Sequence, residues 1–269
     1  MSKFITFIFL TLSVVFNFSF ADTPKIVSAY KIGKYIDVQT AKEKLMMTGF
    51  EVVGIYPSFN KGTTILYTNA IMKADANKNN TGFAGVGRML IDEENNQIHI
   101  ANPIYFGAAF LGSNYNHAHA INTLSSLEEA FGTLKDSEDA YAFADLPKYH
   151  FMVGMPYYND MDIIADAPTD KLVAKAKASK DIVSIVQIGK DSYVAFMKVD
   201  KRTSSFVKKI GAQNSEILPW AVLIENGKAK ALNAKYLIAI SYPLLTMTEF
   251  MTIATVPSAI TQSLKKSFK

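Results

Sequence analysis

Hydrophobic and polar residues alternate along several short segments of the chain, and these segments come in pairs that flank turn residues. Such pairs predict β-hairpins, because successive side chains of a strand point to opposite faces of a sheet. The four predicted hairpins join the segments 50–56 and 63–69, 87–92 and 97–102, 182–188 and 192–199, and 219–225 and 228–234. The last hairpin turns at Asn226-Gly227, a dipeptide that favours a two-residue loop.

Other segments carry hydrophobic residues three and four positions apart, which predicts helices. Asp37 is suited to cap a helix that has Val38, Ala41 and Leu45 on one face and ends at Gly49. Further helices are predicted at 69–77, 104–111, 125–131, 169–179, 236–251 and 257–269.

The same order of helices and hairpins occurs twice along the chain. The turn at Lys61 precedes the turn at Asn95 by nearly as many residues as Lys190 precedes Asn226. We therefore predict an α+β fold of two pseudo-repeated halves, each a mainly antiparallel sheet with helices packed on one face. Internal duplication would explain the similar spacings, and chance recurrence of common elements is the alternative.

The two halves are predicted to cover 22–165 and 166–269. One segment of the first half has no counterpart in the second. Residues 148–154 read as an extra strand, because Tyr149 and Phe151 alternate with His150 and Met152.

Residues 1–21 have the features of a secretory signal peptide. A lysine precedes an apolar run at 4–20, and Ser19 and Ala21 provide small residues before a cleavage site. The run is short for a membrane-spanning helix, which needs about 20 residues. We therefore predict an exported, periplasmic protein with no membrane span after signal cleavage, and an uncleaved anchor is the alternative.

Composition narrows the classes of partner and of chemistry. The chain has 28 basic and 24 acidic residues, for a net charge of +4, and the lysines are scattered. Only Arg88 and Arg202 offer the planar guanidinium that suits bidentate phosphate contacts, so nucleic acid is not expected as a partner. The chain has no cysteine, which excludes disulfides and thiol catalysis.

Motifs for catalysis are missing from the sequence. The glycines of GFAGVGR (82–88) follow a predicted helix and precede a strand, which is the reverse of the dinucleotide-binding order, so turn geometry explains them better. No nucleophile elbow, calcium loop or phosphate-binding loop is present. Enzymatic activity stays uncertain on this basis, and a non-enzymatic protein is favoured.

Several segments are similar to one known group of proteins. These are GFEVVGIYPSF, TTILYTN, GVGRMLI, IANPIY, KYHFMVGMPYYND and LPWAVLIENGKAKALNAKY, with Asn102-Pro103-x-Tyr105 and Gly154-Met155-Pro156-Tyr157 as the most specific points. The chain thereby resembles a family of uncharacterised exported bacterial proteins that is distantly similar to the small α/β domain of unknown function 302. The resemblance implies an α+β fold of two packed units and no established activity. Met155 replaces the asparagine of that domain's Gly-Asn-Pro turn, which puts the role of that side chain in doubt.

Three of the four histidines suggest a metal site. His117 and His119 lie in the segment 113–123, which is rich in Asn and Ser and is predicted to be a loop. In an extended loop their side chains would project to one side as two ligands of zinc or copper, and His150 on the predicted extra strand would be a third. His99 is predicted on the exposed face of its strand. A solvent-facing loop without metal is the alternative.

Aromatic residues at strand ends suggest a second kind of site. Asn102 and Tyr105, with Met155, Tyr157 and Tyr158, flank proline-containing turns. Tyrosine combines apolar contact with one hydrogen bond, which suits ligand recognition, although the same rings would also serve to pack the halves together.

We therefore expect a non-enzymatic binder of a small apolar or amphipathic ligand or of a protein partner, with a second copy of the chain in a homodimer as one such partner. A metal-binding protein that uses His117, His119 and His150 is the second hypothesis, and an enzyme of unrecognised type is the third.

Overall fold

The computed structural model describes residues 24–269. The predicted signal peptide lies outside the described residues, and the periplasmic location stays a prediction. Within 24–269, no helix has the length and apolar character needed to cross a membrane.

Helices and antiparallel strands make up the described part of the chain, which confirms the predicted α+β class. The strands are β1 (Ile26–Ser28), β2 (Tyr30–Lys34), β3 (Glu51–Phe59), β4 (Gly62–Thr68), β5 (Gly87–Asp92), β6 (Gln97–Ala101), β7 (Lys135–Asp136), β8 (Ala140–Ala142), β9 (Asp162–Asp166), β10 (Ile182–Gly189), β11 (Ser192–Met197), β12 (Trp220–Glu225) and β13 (Lys228–Ala231). The helices are α1 (Val38–Met47), α2 (Ala70–Asp75), α3 (Pro103–Leu111), α4 (His117–Phe131), α5 (Thr169–Ala178), α6 (Lys201–Ser204), α7 (Val207–Ile210), α8 (Ala234–Ser241), α9 (Met247–Thr252) and α10 (Val256–Ser267).

The strands form two larger sheets with the same internal order. The first sheet runs β3-β4-β5-β6-β2-β7 and the second runs β10-β11-β12-β13-β9, while β1 pairs with β8 in a small separate sheet. All four predicted hairpins are present. The strands β2 and β9, which each precede the first long helix of a half, were not predicted. The two sheets share one strand order, and internal duplication itself stays a prediction.

Helices cover the outer face of each sheet. On the first sheet, Ala41 and Leu45 of α1 and Leu127 of α4 pack against alternate residues of β4, β5 and β6 in a separate hydrophobic cluster. On the second sheet, α5 contacts β10 and β12, and α10 contacts β9. Asp37 caps α1 as predicted, because its side chain accepts a hydrogen bond from the Thr40 N–H at 2.9 Å.

Two irregular segments cross between the sheets on their inner faces. The first crossing segment (79–86) connects α2 to β5 but contacts β11 and β12 of the second sheet. The second crossing segment (211–219) connects α7 to β12 but contacts β3 to β6 of the first sheet. Each half therefore covers part of the other half's sheet, and the main hydrophobic core contains residues from both halves.

The predicted histidine loop is wrong, because His117 and His119 belong to the first turn of α4. Asn116 caps this helix through a hydrogen bond from the His119 N–H at 3.2 Å. Ser125, which has capping-box spacing to Glu128, lies in the middle of the helix. Asparagine and serine are typical both of helix caps and of solvated loops, and the prediction of a loop follows from the second of these preferences.

The predicted extra strand at 148–154 is also absent. The chain forms a 3-10 helix at Phe143–Lys148 and then turns without strand pairing up to β9. Val153 is 95% exposed, so the alternation of this segment does not reflect a buried face. The predicted boundary between 165 and 166 falls inside β9, which pairs with β13 and so belongs entirely to the second sheet.

Candidate functional site

A cavity of about 100 Å³ lies at one end of the first sheet, between that sheet and elements of both halves. Its walls are mainly apolar, with few polar groups. Gly87 at the start of β5 and Ala101 at the end of β6 form the floor, where neither residue has a large side chain. A Cβ atom added at Gly87 would lie 2.4 Å from the Tyr67 ring, so glycine at this position lets the ring pack closely against β5.

Two helices contribute one face each to the cavity. From α3 these are Pro103, Phe106, Gly107, Phe110 and Leu111, and from α4 and its cap they are Asn116, His119, Ala120 and Thr123. Both sets follow the three- and four-residue spacing of one helix face. The remaining walls come from Met72 and Asp75 of α2, Phe83, Ala84 and Val86 of the first crossing segment, Glu216 and Ile217 of the second, and Leu237 and Ser241 of α8.

Arg88 is the cationic group of the cavity and also ties the two halves together. Its Nη1 donates to the backbone carbonyls of Glu216 at 2.7 Å, Ile217 at 2.8 Å and Pro219 at 2.9 Å. The guanidinium also lies over the ring of Phe196, 5.2 Å from the ring centroid. Burial lowers the pKa of Arg88 to about 10, which still leaves the side chain charged at neutral pH.

Glu216 is the acidic group at the same end of the cavity. The residue is 1% exposed, and neither carboxyl oxygen has a hydrogen-bond partner among the described residues. Burial raises the pKa of the Glu216 carboxyl well above its usual value, and the smaller opposing effect of Arg88 does not offset it. Burial therefore favours the protonated form of this carboxyl, which has an O–H to donate.

Tyr30 and Tyr67 also line this end. The Tyr30 hydroxyl donates to the carbonyl of Ser241 at 2.7 Å, so it is committed to the fold. Burial raises the pKa of Tyr67. Arg88 and Glu216 are thus the basic and acidic side chains at this end, in otherwise mainly apolar surroundings.

A second polar part of the cavity lining is a hydrogen-bonded pair between α4 and α2. His119 Nδ1 lies 2.9 and 3.0 Å from the two carboxyl oxygens of Asp75. The His119 side chain is 42% exposed and that of Asp75 is 19% exposed, so the pair faces both solvent and the cavity. The structure therefore places one of the predicted metal ligands at the mouth of an apolar site.

The three histidines proposed as metal ligands are engaged separately. Two residues apart on a helix, His117 and His119 point in different directions. His117 Nδ1 bonds the Tyr115 hydroxyl at 2.9 Å, and the His150 ring packs 4.5 Å from the ring of Tyr157. Within 24–269, no group of three or more His, Asp or Glu side chains has an arrangement that could hold a metal ion. The extended loop on which the zinc or copper hypothesis depended is therefore not formed.

His99 also differs from its prediction. The side chain is 3% exposed rather than on a solvent-facing surface, and its Nε2 bonds the Gln97 amide at 2.8 Å. Burial lowers the pKa of His99 to about 4, which leaves the ring neutral at neutral pH.

The predicted aromatic ligand patch does not border the cavity. Asn102 caps α3 and Tyr105 is fully buried, with its hydroxyl donating to the Ile240 carbonyl at 3.0 Å. Tyr158 stacks on Phe110 and donates to the Asn80 carbonyl at 2.6 Å. Tyr105 and Tyr158 therefore pack the two halves together, which was the alternative interpretation of these rings.

The other two members of the patch lie outside the cavity as well. Met155 packs, partly buried, against the main core, and Tyr157 is 48% exposed beside His150. The cavity lies on the neighbouring face of α3, the face of Phe106 rather than that of Tyr105.

Sequence reasoning missed Arg88 and Glu216 as a pair. Arg88 carried one usable signal, since an arginine between glycine and the apolar run MLI sits where a strand faces the interior. No sequence pattern indicated a buried Glu216, because its segment AQNSEI has the composition of an ordinary polar loop. Tertiary packing buries this loop under the first sheet and brings the two residues to one cavity.

No protein-family model, curated protein or solved structure matches the chain, so the resemblance to the domain of unknown function 302 stays a prediction.

Proposed function

We propose that this protein is a non-enzymatic binder of a small apolar or amphipathic ligand, which it holds in the cavity between α3, α4 and the two crossing segments. The observation that carries the proposal is the combination of apolar walls with one polar end, formed by Arg88 and the unpartnered carboxyl of Glu216. Small-molecule sites typically have this character, with mostly apolar linings and a few polar groups that orient the ligand.

The size of the cavity limits the ligand. An apolar protein cavity of roughly 150 Å³ accommodates benzene, and the cavity here is somewhat smaller, at about 100 Å³. The ligand, or the part of it that enters, is therefore a single small ring or a short chain. Opening the contact between His119 and Asp75, both of which line the cavity and are partly exposed, would give a longer ligand a path to solvent.

Fluorobenzene is a suitable neutral probe, because it tests the apolar walls without addressing the polar end. We expect its ¹⁹F NMR signal to shift and broaden with the wild-type protein, and the thermal midpoint of unfolding to rise in its presence. The substitution Ala120→Leu fills the cavity from α4 and should abolish both effects.

Ala118→Leu is the matched control, because it adds the same side chain to the same helix turn at an exposed position. Binding that survives Ala120→Leu, or that is lost equally in Ala118→Leu, would show that the probe does not occupy this cavity. Circular dichroism of both variants checks that each one is folded.

A further inference from the structure

We propose that the polar end of the cavity binds a carboxylate, so that the ligand is a small monocarboxylic acid with a short apolar chain or ring. Arg88 and Glu216 are the two side chains that contact the carboxylate. The inference rests on the proposed function, since it assigns a chemical class to the ligand of the same cavity.

Arg88 has donors to spare for such a ligand. A guanidinium carries five N–H groups, and those of Nη1 are directed to the three backbone carbonyls of the second crossing segment. Nη2 and Nε make no hydrogen bond to another described residue, and Arg88 lines the cavity. An arginine fork of this kind matches the geometry of a carboxylate, which accepts two parallel N–H bonds.

Glu216 supplies the complementary donor. A buried carboxyl without a partner carries a desolvation penalty, and a ligand that forms a hydrogen bond with Glu216 relieves part of that penalty. In its protonated form the carboxyl donates one O–H and accepts through its other oxygen. A ligand carboxylate can therefore accept from Glu216 and from Arg88 together.

Charge distinguishes the carboxylate from other polar head groups. With Glu216 protonated, Arg88 is the net charge at this end, and a charge in a poorly solvated site is stabilised by an opposite charge. An ammonium group would add a second positive charge beside Arg88. A hydroxyl group would satisfy Glu216 but leave the arginine without a counter-ion. A carboxylate satisfies both side chains.

Three probes that share one chain separate these head groups: butanoate, 1-butanol and butylamine. We expect butanoate to bind the wild-type protein at least tenfold more tightly than 1-butanol, with butylamine weakest, as measured by NMR titration at pH 7. Glu216→Leu should weaken butanoate binding about tenfold and should also weaken 1-butanol binding, because both head groups hydrogen-bond to the Glu216 carboxyl. Arg88→Lys should weaken butanoate binding as well, because an ammonium lacks the planar fork.

Lys61→Met is the matched control, since it removes a cation from an exposed hairpin turn at the opposite end of β4 from Tyr67. Butanoate affinity that falls in Lys61→Met and stays unchanged in Glu216→Leu would overturn the inference, because the carboxylate would then be held at the surface.

The two proposals fail in different ways. Equal binding of butanoate and 1-butanol, or a preference for butylamine, overturns the carboxylate inference while fluorobenzene binding keeps the cavity proposal intact. If neither fluorobenzene nor butanoate binds the wild-type protein, both proposals are wrong.

Discussion

The two crossing segments have matching places in the two halves, but different contacts hold them. The first crossing segment lies close on the second sheet because Gly82 has no side chain: an added Cβ atom there would be 2.4 Å from Leu223 Cδ1. Three hydrogen bonds hold Asn80 in this segment. Its backbone N–H donates to Glu225 at 2.8 Å, its side-chain oxygen accepts from Lys230, and its backbone carbonyl accepts from Tyr158.

Polar contacts also hold the second crossing segment, and here they include a cation of the first sheet. Arg88 bonds three of its carbonyls, and the Asn214 amide donates to Asp139 at 2.9 Å and to the Ser241 carbonyl at 3.1 Å. The Glu216 carboxyl stays without a partner among the described residues. Two sheets with the same strand order therefore carry different crossing segments. The first crossing segment packs closely on the second sheet, and the second crossing segment places polar groups at the cavity.

Among the substitutions that test this comparison, removal of the Arg88 side chain should lower the free energy of unfolding most. Arg88→Met leaves three backbone carbonyls of the second crossing segment without their donor, and each hydrogen bond to a charged group contributes about 1.5–3 kcal/mol. We expect the free energy of unfolding, measured by urea denaturation, to fall by about 3 kcal/mol. Arg88→Lys retains a cationic donor and should lose less. An Arg88→Met variant as stable as the wild type would show that packing alone holds the segment.

Glu216 predicts a dependence of stability on pH. Its pKa in the folded protein is raised by burial, so the folded state holds this proton over a pH range in which the unfolded state has already lost it. Stability from this group is therefore fully present below the unfolded pKa and decreases as pH rises toward the folded pKa, with a slope of up to about 1.4 kcal/mol per pH unit.

The substitution Glu216→Gln removes that titration. We expect the unfolding free energy of Glu216→Gln to decrease less than that of the wild type between pH 5 and about pH 8, and to exceed it at the upper end of this range. Glu93→Gln, at an exposed hairpin turn, is the control and should keep the wild-type slope. Parallel pH profiles for Glu216→Gln and the wild type would mean that the carboxyl does not keep its proton on folding.

A methyl group added at Gly82 tests the tightly packed side. Gly82→Ala places a Cβ atom against the buried Leu223 side chain, and overpacking of this kind costs about 1–3 kcal/mol. Asn79→Ala in the same segment removes one exposed hydrogen bond to Asn226 and should cost less than about 0.5 kcal/mol. Similar urea midpoints for the two variants would show that the first crossing segment does not depend on this close approach.

Local patterns in the sequence predicted most of the regular structure. Alternation located all four hairpins. Asp37 caps α1 as predicted, and Asn226-Gly227 forms the predicted turn between β12 and β13. The glycines of GFAGVGR were assigned to turn geometry, whereas Gly82 and Gly85 permit close packing on the second sheet. That role was not visible because the partners, Leu223 and Ile188, are more than a hundred residues away along the chain.

The errors share a physical cause. The start of α4 was read as a loop because its asparagine and serine residues compete with the backbone for hydrogen bonds in either setting, as a cap or as a turn. The segment 148–154 was read as a strand because alternation alone cannot show whether a neighbouring strand is available for pairing. Whether each of these two segments forms a helix, a strand or a loop depends on contacts with residues outside it.

The sequence by itself determined the α+β class, the hairpins and the Asp37 cap of α1, because these depend on side-chain periodicity and on hydrogen bonds within a few residues. Only the tertiary structure decided which faces meet. It buried Tyr105, placed the cavity on the neighbouring face of α3, separated the histidines, and brought Arg88 to the second crossing segment and Glu216. The physical reason is that burial and charge pairing between distant residues are set by how the two sheets pack, and no local pattern encodes that packing.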